Sequence, residues 1–360
     1  MVQPGMTIMA QEIRQTPRLV EDQLVHGRAA LAAVADAVRS ARPRWVSIVA
    51  RGTSDHAAIY ARYLIETQLG WPVGLASPSV TTIYHAPSDW SSGLILAVSQ
   101  SGRSPDLVAV VEAARRGGAL TVAITNTADS PLEAAADLTV PCRAGPELAV
   151  AATKSYVAEL AGLAGIVAVL APESELAGGL ARVPEVLSQT LAGSLAWLDG
   201  PGAGLVGAIA GSGRALVISR GFNLATALET SLKLKETSRI FAEGYSSADF
   251  EHGPIALAGS EIPALVFRPD GPMGAAIDPA VTRARAAGAR PWIVGGPETG
   301  ALKGSGAAEI LVLDALADLP ECLSPLALIL PGQLLAEAVA TSLGLSPDAP
   351  AGLSKVTLTR

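Results

Sequence analysis

The sequence predicts an α/β protein of two units in tandem, each a parallel β-sheet flanked by helices in three layers, and three observations predict it. Apolar runs of five or six residues alternate with helical patterns of roughly 10 to 20 residues, the order of a parallel sheet with crossover helices on both faces. That order begins again about 170 residues further on, a period too long for a solenoid and suited to two domains. The chain has 360 residues, 49% hydrophobic and 16% charged, enough to bury two cores and too apolar for disorder. One continuous doubly wound sheet is the alternative these observations leave.

Taken in order, a helical segment over about residues 9–38 comes first, entered through Glu12-Ile13-Arg14-Gln15-Thr16-Pro17. Strands are expected at 45–50, 94–98, 120–125 and 137–141, followed by helices between about 150 and 198. Pro184 suits the first turn of a helix over 183–198. Gly200-Pro201-Gly202-Ala203-Gly204 is the most linker-like string and places a boundary. The second set of strands is expected at 215–219, 264–267, 292–294 and 309–313. Arg51 to Gly118 spans 67 residues and Arg220 to Gly288 spans 68, so the registers agree. Arg51-Gly52-Thr53-Ser54 likewise matches Arg220-Gly221-Phe222-Asn223. The expected division is a helical segment 1–40, a first domain 41–182, a helical linker 183–204, a second domain 205–345 and a tail 346–360.

Composition excludes several function classes. Lys and Arg total 26 against 33 Asp and Glu, a net charge of -7 with no polybasic block, so nucleic acid is not an expected partner. Cys142 and Cys322 and the four histidines make no metal-ligand spacing; no metal, cofactor or disulfide is expected, and a reducing cytoplasm fits. Mean hydropathy is +0.38, yet no apolar run reaches the roughly 20 residues that span a membrane. The run 160–171 is closed by Glu159 and Pro172, and 326–335 is broken by Pro331 and Gln333; both read as buried helices. Met1-Val2-Gln3-Pro4-Gly5, then Glu12 and Arg14, does not read as a targeting signal.

Ligands of open α/β sheets bind beyond the carboxyl ends of the strands. Ser99-Gln100-Ser101-Gly102-Arg103-Ser104-Pro105-Asp106 follows such a strand and opens a helix, with Ser104 suited to the N-cap and Pro105 to the first helical position. Hydroxyls and free N–H groups at the positive end of a helix suit a phosphate; ordinary capping is the plainer alternative. Gly52-Thr53-Ser54 is a weaker candidate of the same kind, with Ser54 or Asp55 capping the next helix. It joins the first loop if the strands ending near 50 and 98 are neighbours. In the second half Glu229, Lys233 and Glu236 lie on one helix; Lys233 and Glu236, spaced i,i+3, share a face and Lys235 points elsewhere. Such a pair is either a solvated surface pair or a proton-moving site. His252, in Asp249-Phe250-Glu251-His252-Gly253-Pro254, is either a loop histidine in water or a partner in that chemistry. In the tail, Val356 and Leu358 alternate as if packed down, and Lys355 is within reach of a pocket.

Together these residues resemble the sugar isomerase (SIS) domain proteins, specifically the paired SIS domains of glucosamine-6-phosphate synthase. The likeness runs over essentially the whole chain and is carried by Ser99-Gln100-Ser101-Gly102, Ala151-Ala152-Thr153-Lys154, Leu232-Lys233-Leu234-Lys235-Glu236, Glu251-His252-Gly253-Pro254 and Lys355. The resemblance implies two flavodoxin-like SIS domains. It implies that Ser99, Gln100, Ser101 and Ser104 hold a substrate phosphate, and that Thr53, Ser54, Val150 and Ala152 lie at the sugar. It further implies that Glu236 moves a proton between C1 and C2, supported by Lys233, and that His252 arrives from the other subunit of a homodimer to assist ring opening. Lys355 would lie at the carbonyl, where a neutral amine forms a Schiff base.

Departures sharpen the expectation. Ala152 stands where the family usually has serine, Ala351-Gly352 where an Arg-Asn pair is usual, Ser104 for threonine and Arg103 for glutamate. No glutamine-hydrolysing domain with an N-terminal cysteine precedes the SIS-like segment, so the chain is expected to be unable to take ammonia from glutamine. A glucosamine-6-phosphate deaminase is the leading expectation. An aldose-ketose isomerase or a deglycase of amino-acid-linked sugar phosphates is the alternative within enzymes, and a non-catalytic sugar-phosphate sensor the alternative outside them.

Overall fold

The computed structural model describes residues 5–304 and 306–355. Two five-stranded sheets are present, parallel throughout. The first holds β1 (Trp45–Val49), β2 (Val73–Leu75), β3 (Gly93–Ser99), β4 (Leu120–Thr125) and β5 (Leu138–Pro141) in the order β2-β1-β3-β4-β5. The second holds β6 (Arg214–Ser219), β7 (Phe241–Ser246), β8 (Ala264–Arg268), β9 (Trp292–Gly295) and β10 (Glu309–Val312) in the order β10-β9-β8-β6-β7. Counted from the first strand of each, the two orders coincide. Both carry a glycine with positive φ just after the first strand, Gly52 at 58° and Gly221 at 63°, and another before the strand of the third crossover, Gly118 at 89° and Gly288 at 97°. The matching spacings in the sequence therefore correspond to matching turns.

The chain divides into two compact units. The first-sheet unit comprises Arg18–Glu147, Lys154–Ala181 and, at the described end of the chain, residues 354 and 355. Its strands are continuous apolar runs because helices cover them: Val49, Ile95, Ala97 and Ala123 pack on Leu107, Val110, Val111 and Ala114 of the helix Pro105–Arg116. The second-sheet unit comprises the described residues up to Pro17, Leu148–Thr153 and Arg182–Leu353. On one face of its sheet Leu216, Ile218, Val266 and Ile293 pack against Phe250 and against Ile277, Ala280 and Ala284 of the helix Pro272–Ala286. On the other face Gly244 allows backbone contact with the helix Leu224–Ser238: a Cβ there would lie 2.9 Å from Leu228 Cα.

Several expectations change in detail. The N-terminal helical segment is two helices, Ile8–His26 and Arg28–Ala41. The helix Val183–Leu198 forms with Pro184 in its first turn, but it belongs to the second-sheet unit, and Ala203 and Gly204 of the linker-like string already lie in the helix Ala203–Ser212. Strands β2 and β7 were not expected. The apolar helices Lys154–Leu170 and Ser324–Ser342 are buried. The latter continues through Pro331, and with the preceding turn Glu321–Ser342 is long and apolar enough to cross a membrane; its most apolar stretch is 89% buried inside the protein, as a core helix is. Cys142 and Cys322 are buried and are not joined in a disulfide. The expected packing of Val356 and Leu358 lies outside the described residues.

Candidate functional site

In the first-sheet unit β1 and β3 are hydrogen-bonded neighbours, Val49 opposite Ala97, so the loops that follow them emerge side by side. Ser104 is the N-cap of the helix Pro105–Arg116 by position and Pro105 its first residue, yet the Ser104 side chain makes no capping hydrogen bond. The other two hydroxyls shape the loop: Ser99 Oγ accepts from Gly102 N at 3.2 Å and Ser101 Oγ from Arg103 N at 3.3 Å. Each keeps its own proton for a ligand. Gly102 has φ 61°, and a Cβ there would lie 2.3 Å from Ser130 Oγ, so only glycine fits. The Gln100 carbonyl accepts from Asn126 N at 3.2 Å and Thr127 Oγ1 at 3.3 Å, which fixes the loop to the next one. Ser99 is buried, whereas Gln100, Ser101 and Ser104 are half-buried and reachable. The result is a rigid turn with three hydroxyls at a helix N-terminus, the kind of arrangement suited to an anion.

The neighbouring turn differs from expectation. Gly52, not Ser54 or Asp55, is the N-cap of the helix Thr53–Leu69. Ser54 is buried and donates to Glu159 Oε1 at 2.8 Å, while Thr53 is half-buried at the start of the helix. Arg51 Nε donates to Asp106 Oδ2 at 2.9 Å. Lys355 is placed against Glu147, donating to Oε2 at 2.8 Å; the same carboxylate accepts from Ser155 N at 3.1 Å and Ser155 Oγ at 2.6 Å. Glu147 and Glu159 were not singled out in the sequence, since their partners lie 8, 105 and 208 residues away.

In the second-sheet unit Val150 and Ala152 are half-buried on a segment tied down at several points. Glu12 accepts from Leu148 N and Ala149 N, Val150 N donates to the Asp348 carbonyl at 2.9 Å, and Gln333 Nε2 donates to the Thr153 carbonyl at 3.0 Å. The helix Leu224–Ser238 carries Glu229, Lys233 and Glu236. Lys233 is fully buried, with its ammonium 3.4 Å from Glu229 Oε1 and hydrogen-bonded to Glu236 Oε2. This is no solvated surface pair. Glu229 is fully buried as well, whereas Glu236 is 25% exposed, so of the two carboxylates Glu236 is the one within reach from outside. Lys235 is exposed on another side. The i,i+4 spacing of Glu229 and Lys233 was the available signal for the third member.

Glu236 and His252 are not brought together within the chain. Because β6 and β7 are parallel, the helix between them returns from the carboxyl edge of the sheet to its amino edge, and Glu236 lies in its last turn. His252 is exposed and follows the carboxyl end of β7, beyond the short helix Ser247–Glu251. The six residues of β7 span on the order of 20 Å. The two also belong to opposite faces: Gly244 meets the helix of Glu236, while its neighbour Tyr245 packs with Phe250 at a ring distance of 6.1 Å. The rule that ligands gather at the carboxyl edge therefore fits the Ser99 loop and His252 but not Glu236.

The loop after β8, equivalent in order to the Ser99 loop, is filled from within. Gly271 N donates to Glu298 Oε2 at 3.1 Å, Glu298 N to Asp270 Oδ1 at 3.0 Å, and Met273 N to Glu321 Oε2 at 3.5 Å. Burial pushes the Asp270 and Glu321 carboxyls up from their ordinary values. Carboxylates thus take the N–H groups that an anion would use. Among the described residues no group of three His, Cys, Asp or Glu is placed to hold a metal ion.

Residues 41–164 match the SIS domain. A protein of Silicibacter pomeroyi described as a "putative phosphosugar isomerase" is 35% identical in structure-based comparison, with a TM-score of 0.82, covering 95% of this chain and 100% of that one. The chain belongs to the SIS-domain family. The glutamine–fructose-6-phosphate aminotransferase (isomerizing) of Methanothermobacter thermautotrophicus is 36% identical over 348 residues, 96% of this chain and 56% of that protein. The chain spans a little over half the length of the curated relatives it matches. A glucosamine-6-phosphate deaminase of Thermotoga maritima shares the fold, with a TM-score of 0.69 at 20% identity, covering 96% of this chain and all of that one.

Proposed function

We propose that the chain is a sugar-phosphate enzyme of two tandem SIS domains, 41–182 and 205–345, and that it deaminates glucosamine 6-phosphate. The duplicated strand order supports the tandem reading. The observation that carries the chemistry is the buried lysine between two carboxylates, one of them open to solvent, in a chain that also holds a hydroxyl-lined anion loop. Ser99, Gln100, Ser101 and Ser104 hold the phosphate. With the ring opened, Glu236 removes the C2 proton and returns it to C1, while Lys233 offsets its charge. The C2 amine becomes a ketimine, and water adds and expels ammonia, leaving fructose 6-phosphate. Thr53, Ser54, Val150 and Ala152 line the sugar; Ser54 does so only by sharing its hydroxyl with Glu159. Lys355 serves the carbonyl end, and the contact with Glu147 would have to break for it to form a Schiff base.

The curated relatives are named for an isomerising transfer from glutamine to fructose 6-phosphate; the same sugar chemistry in reverse, without glutamine, releases ammonia. Both cysteines are buried, and burial together with Glu159 and Glu147 pushes the Cys142 thiol well up, which disfavours a thiolate there for attack on glutamine. Two buried cysteines outside any disulfide also suit a reducing cytoplasm. The separation of Glu236 from His252 supports a homodimer in which His252 assists ring opening in the partner. Purified protein given glucosamine 6-phosphate should release ammonia and fructose 6-phosphate in equal amounts, and Glu236→Gln should not. Neither product from the wild type would end this reading. Turnover of an aldose phosphate or an amino-acid-linked sugar phosphate instead would turn it toward an isomerase or a deglycase, and a ligand-raised melting temperature without turnover toward a sensor.

A further inference from the structure

We propose that Arg51 is a specificity-determining residue of the anion loop, a guanidinium held by Asp106 that binds the substrate phosphate together with Ser99, Ser101 and Ser104; this rests on the reading that the loop takes a phosphate. Arg51 lies two residues beyond β1, the hydrogen-bonded neighbour of β3, so its turn and the loop emerge together. Asp106 is the second residue of the helix that the loop opens, and its side chain is 1% exposed against 50% for Arg51. One Asp106 oxygen takes the Arg51 Nε proton at 2.9 Å, and the other accepts from Leu107 N at 2.9 Å. The guanidinium is thereby pinned at the first turn of the helix through one edge of its planar fork, which carries five donors in all.

The electrostatics explain why a cation there points to an anion. A helix N-terminus carries partial positive charge and repels a guanidinium. Asp106 offsets that charge and takes the Leu107 N–H, which leaves the loop hydroxyls and the outer edge of the guanidinium to a further anion. A phosphate dianion receives both the helix end and a bidentate Arg, and a monoanion gains less from each. The plainer account is that Arg51 only neutralises the buried Asp106. The two accounts predict different behaviour once both charges are removed.

The test is calorimetric titration of the full chain with inorganic phosphate and with glucosamine 6-phosphate. Arg51→Met should weaken both by roughly 10- to 100-fold, the worth of a hydrogen bond between charged groups. Arg51→Met combined with Asp106→Asn should stay equally weak, and wild-type affinity should rise more steeply than that of Arg51→Met as pH passes the second phosphate pKa near 6. Arg103→Met, which removes a nearby exposed cation, should cost less than about 3-fold. Recovery of wild-type affinity in the double variant, or equal losses in Arg51→Met and Arg103→Met, overturns the role of Arg51. If Ser104→Ala weakens binding and Arg51→Met does not, Arg51 is excluded while the phosphate loop stands. If the wild type binds neither ligand, both fall.

Discussion

Lys233 is fully buried between Glu229 and Glu236, and that burial separates the effects of substituting the three. A buried ammonium is tolerated only when paired, and removing it strands the Glu229 carboxylate away from water. Lys233→Met should therefore cost about 3–5 kcal/mol of stability, read by denaturant unfolding. Glu236 is partly exposed, and its loss leaves Lys233 with Glu229, so Glu236→Gln should fold with little change in stability. Its effect belongs to the chemistry: kcat for the deamination should fall by about 100- to 10,000-fold. A Glu236→Gln protein that unfolds early, or a Lys233→Met protein as stable as the wild type, would mean that burial has been assigned to the wrong carboxylate. The resemblance named Lys233 and Glu236, and helical spacing alone linked them, but their i,i+3 placement fits a wet surface equally well. What spacing lacks is the packing of a second helix, Ser324–Ser342, on the same element: Thr237 Oγ1 donates to the Ala336 carbonyl at 3.2 Å, and a Cβ on Gly332 would lie 2.1 Å from Thr230 Oγ1.

Among the elements, the loop after β8 has the same place in its sheet as the Ser99 loop and the opposite charge. Burial raises the carboxyls of Asp270 and Glu321, so the folded protein binds protons there that the unfolded chain does not. Stability should accordingly fall as pH rises from the ordinary carboxylate pKa through the raised folded value, and be recovered on acidification through the same window. Glu321→Gln, which removes the charge and keeps the shape, should flatten this part of the profile and leave the protein at least as stable at neutral pH; a difference in melting temperature that does not change with pH would count against it. The central strands could be read because they are buried on both faces and hence continuously apolar: β3 has no exposed residue. β2 is three half-buried or exposed residues at a sheet edge, and β7, Phe-Ala-Glu-Gly-Tyr-Ser, the equivalent edge strand of the second sheet, carries exposed Phe241 and Glu243, so neither has a periodic signal. The Ser99 loop, proposed to hold the phosphate, was legible through local chemistry, a Ser-Pro helix start after a strand. The contacts of Glu147, Glu159 and Arg51 run across the fold, and no local pattern contains them.

For the whole molecule the proposed role of His252 sets how many chains would make one active site. Glu236 lies toward the amino edge of the second sheet and His252 beyond its carboxyl edge, on elements that pack on opposite faces. A symmetric dimer resolves this if each chain lends His252 to its partner, because an isologous arrangement supplies both sites at once. Two variants, each inactive alone, then complement each other. In a dimer of Glu236→Gln with His252→Asn, one site combines the intact glutamate of the second chain with the intact histidine of the first; the other site has lost both. Equal amounts of the two, unfolded and refolded together or co-expressed, give half of the dimers as mixed, each with one working site of two. Deaminase activity should return to about a quarter of the wild-type value. If His252 served its own chain, every subunit in the mixture would lack one of the two groups and activity would stay at the level of the single variants. Stable dimers in the mixture without recovered activity would therefore place His252 outside the partner's site, whatever its part in holding the dimer together.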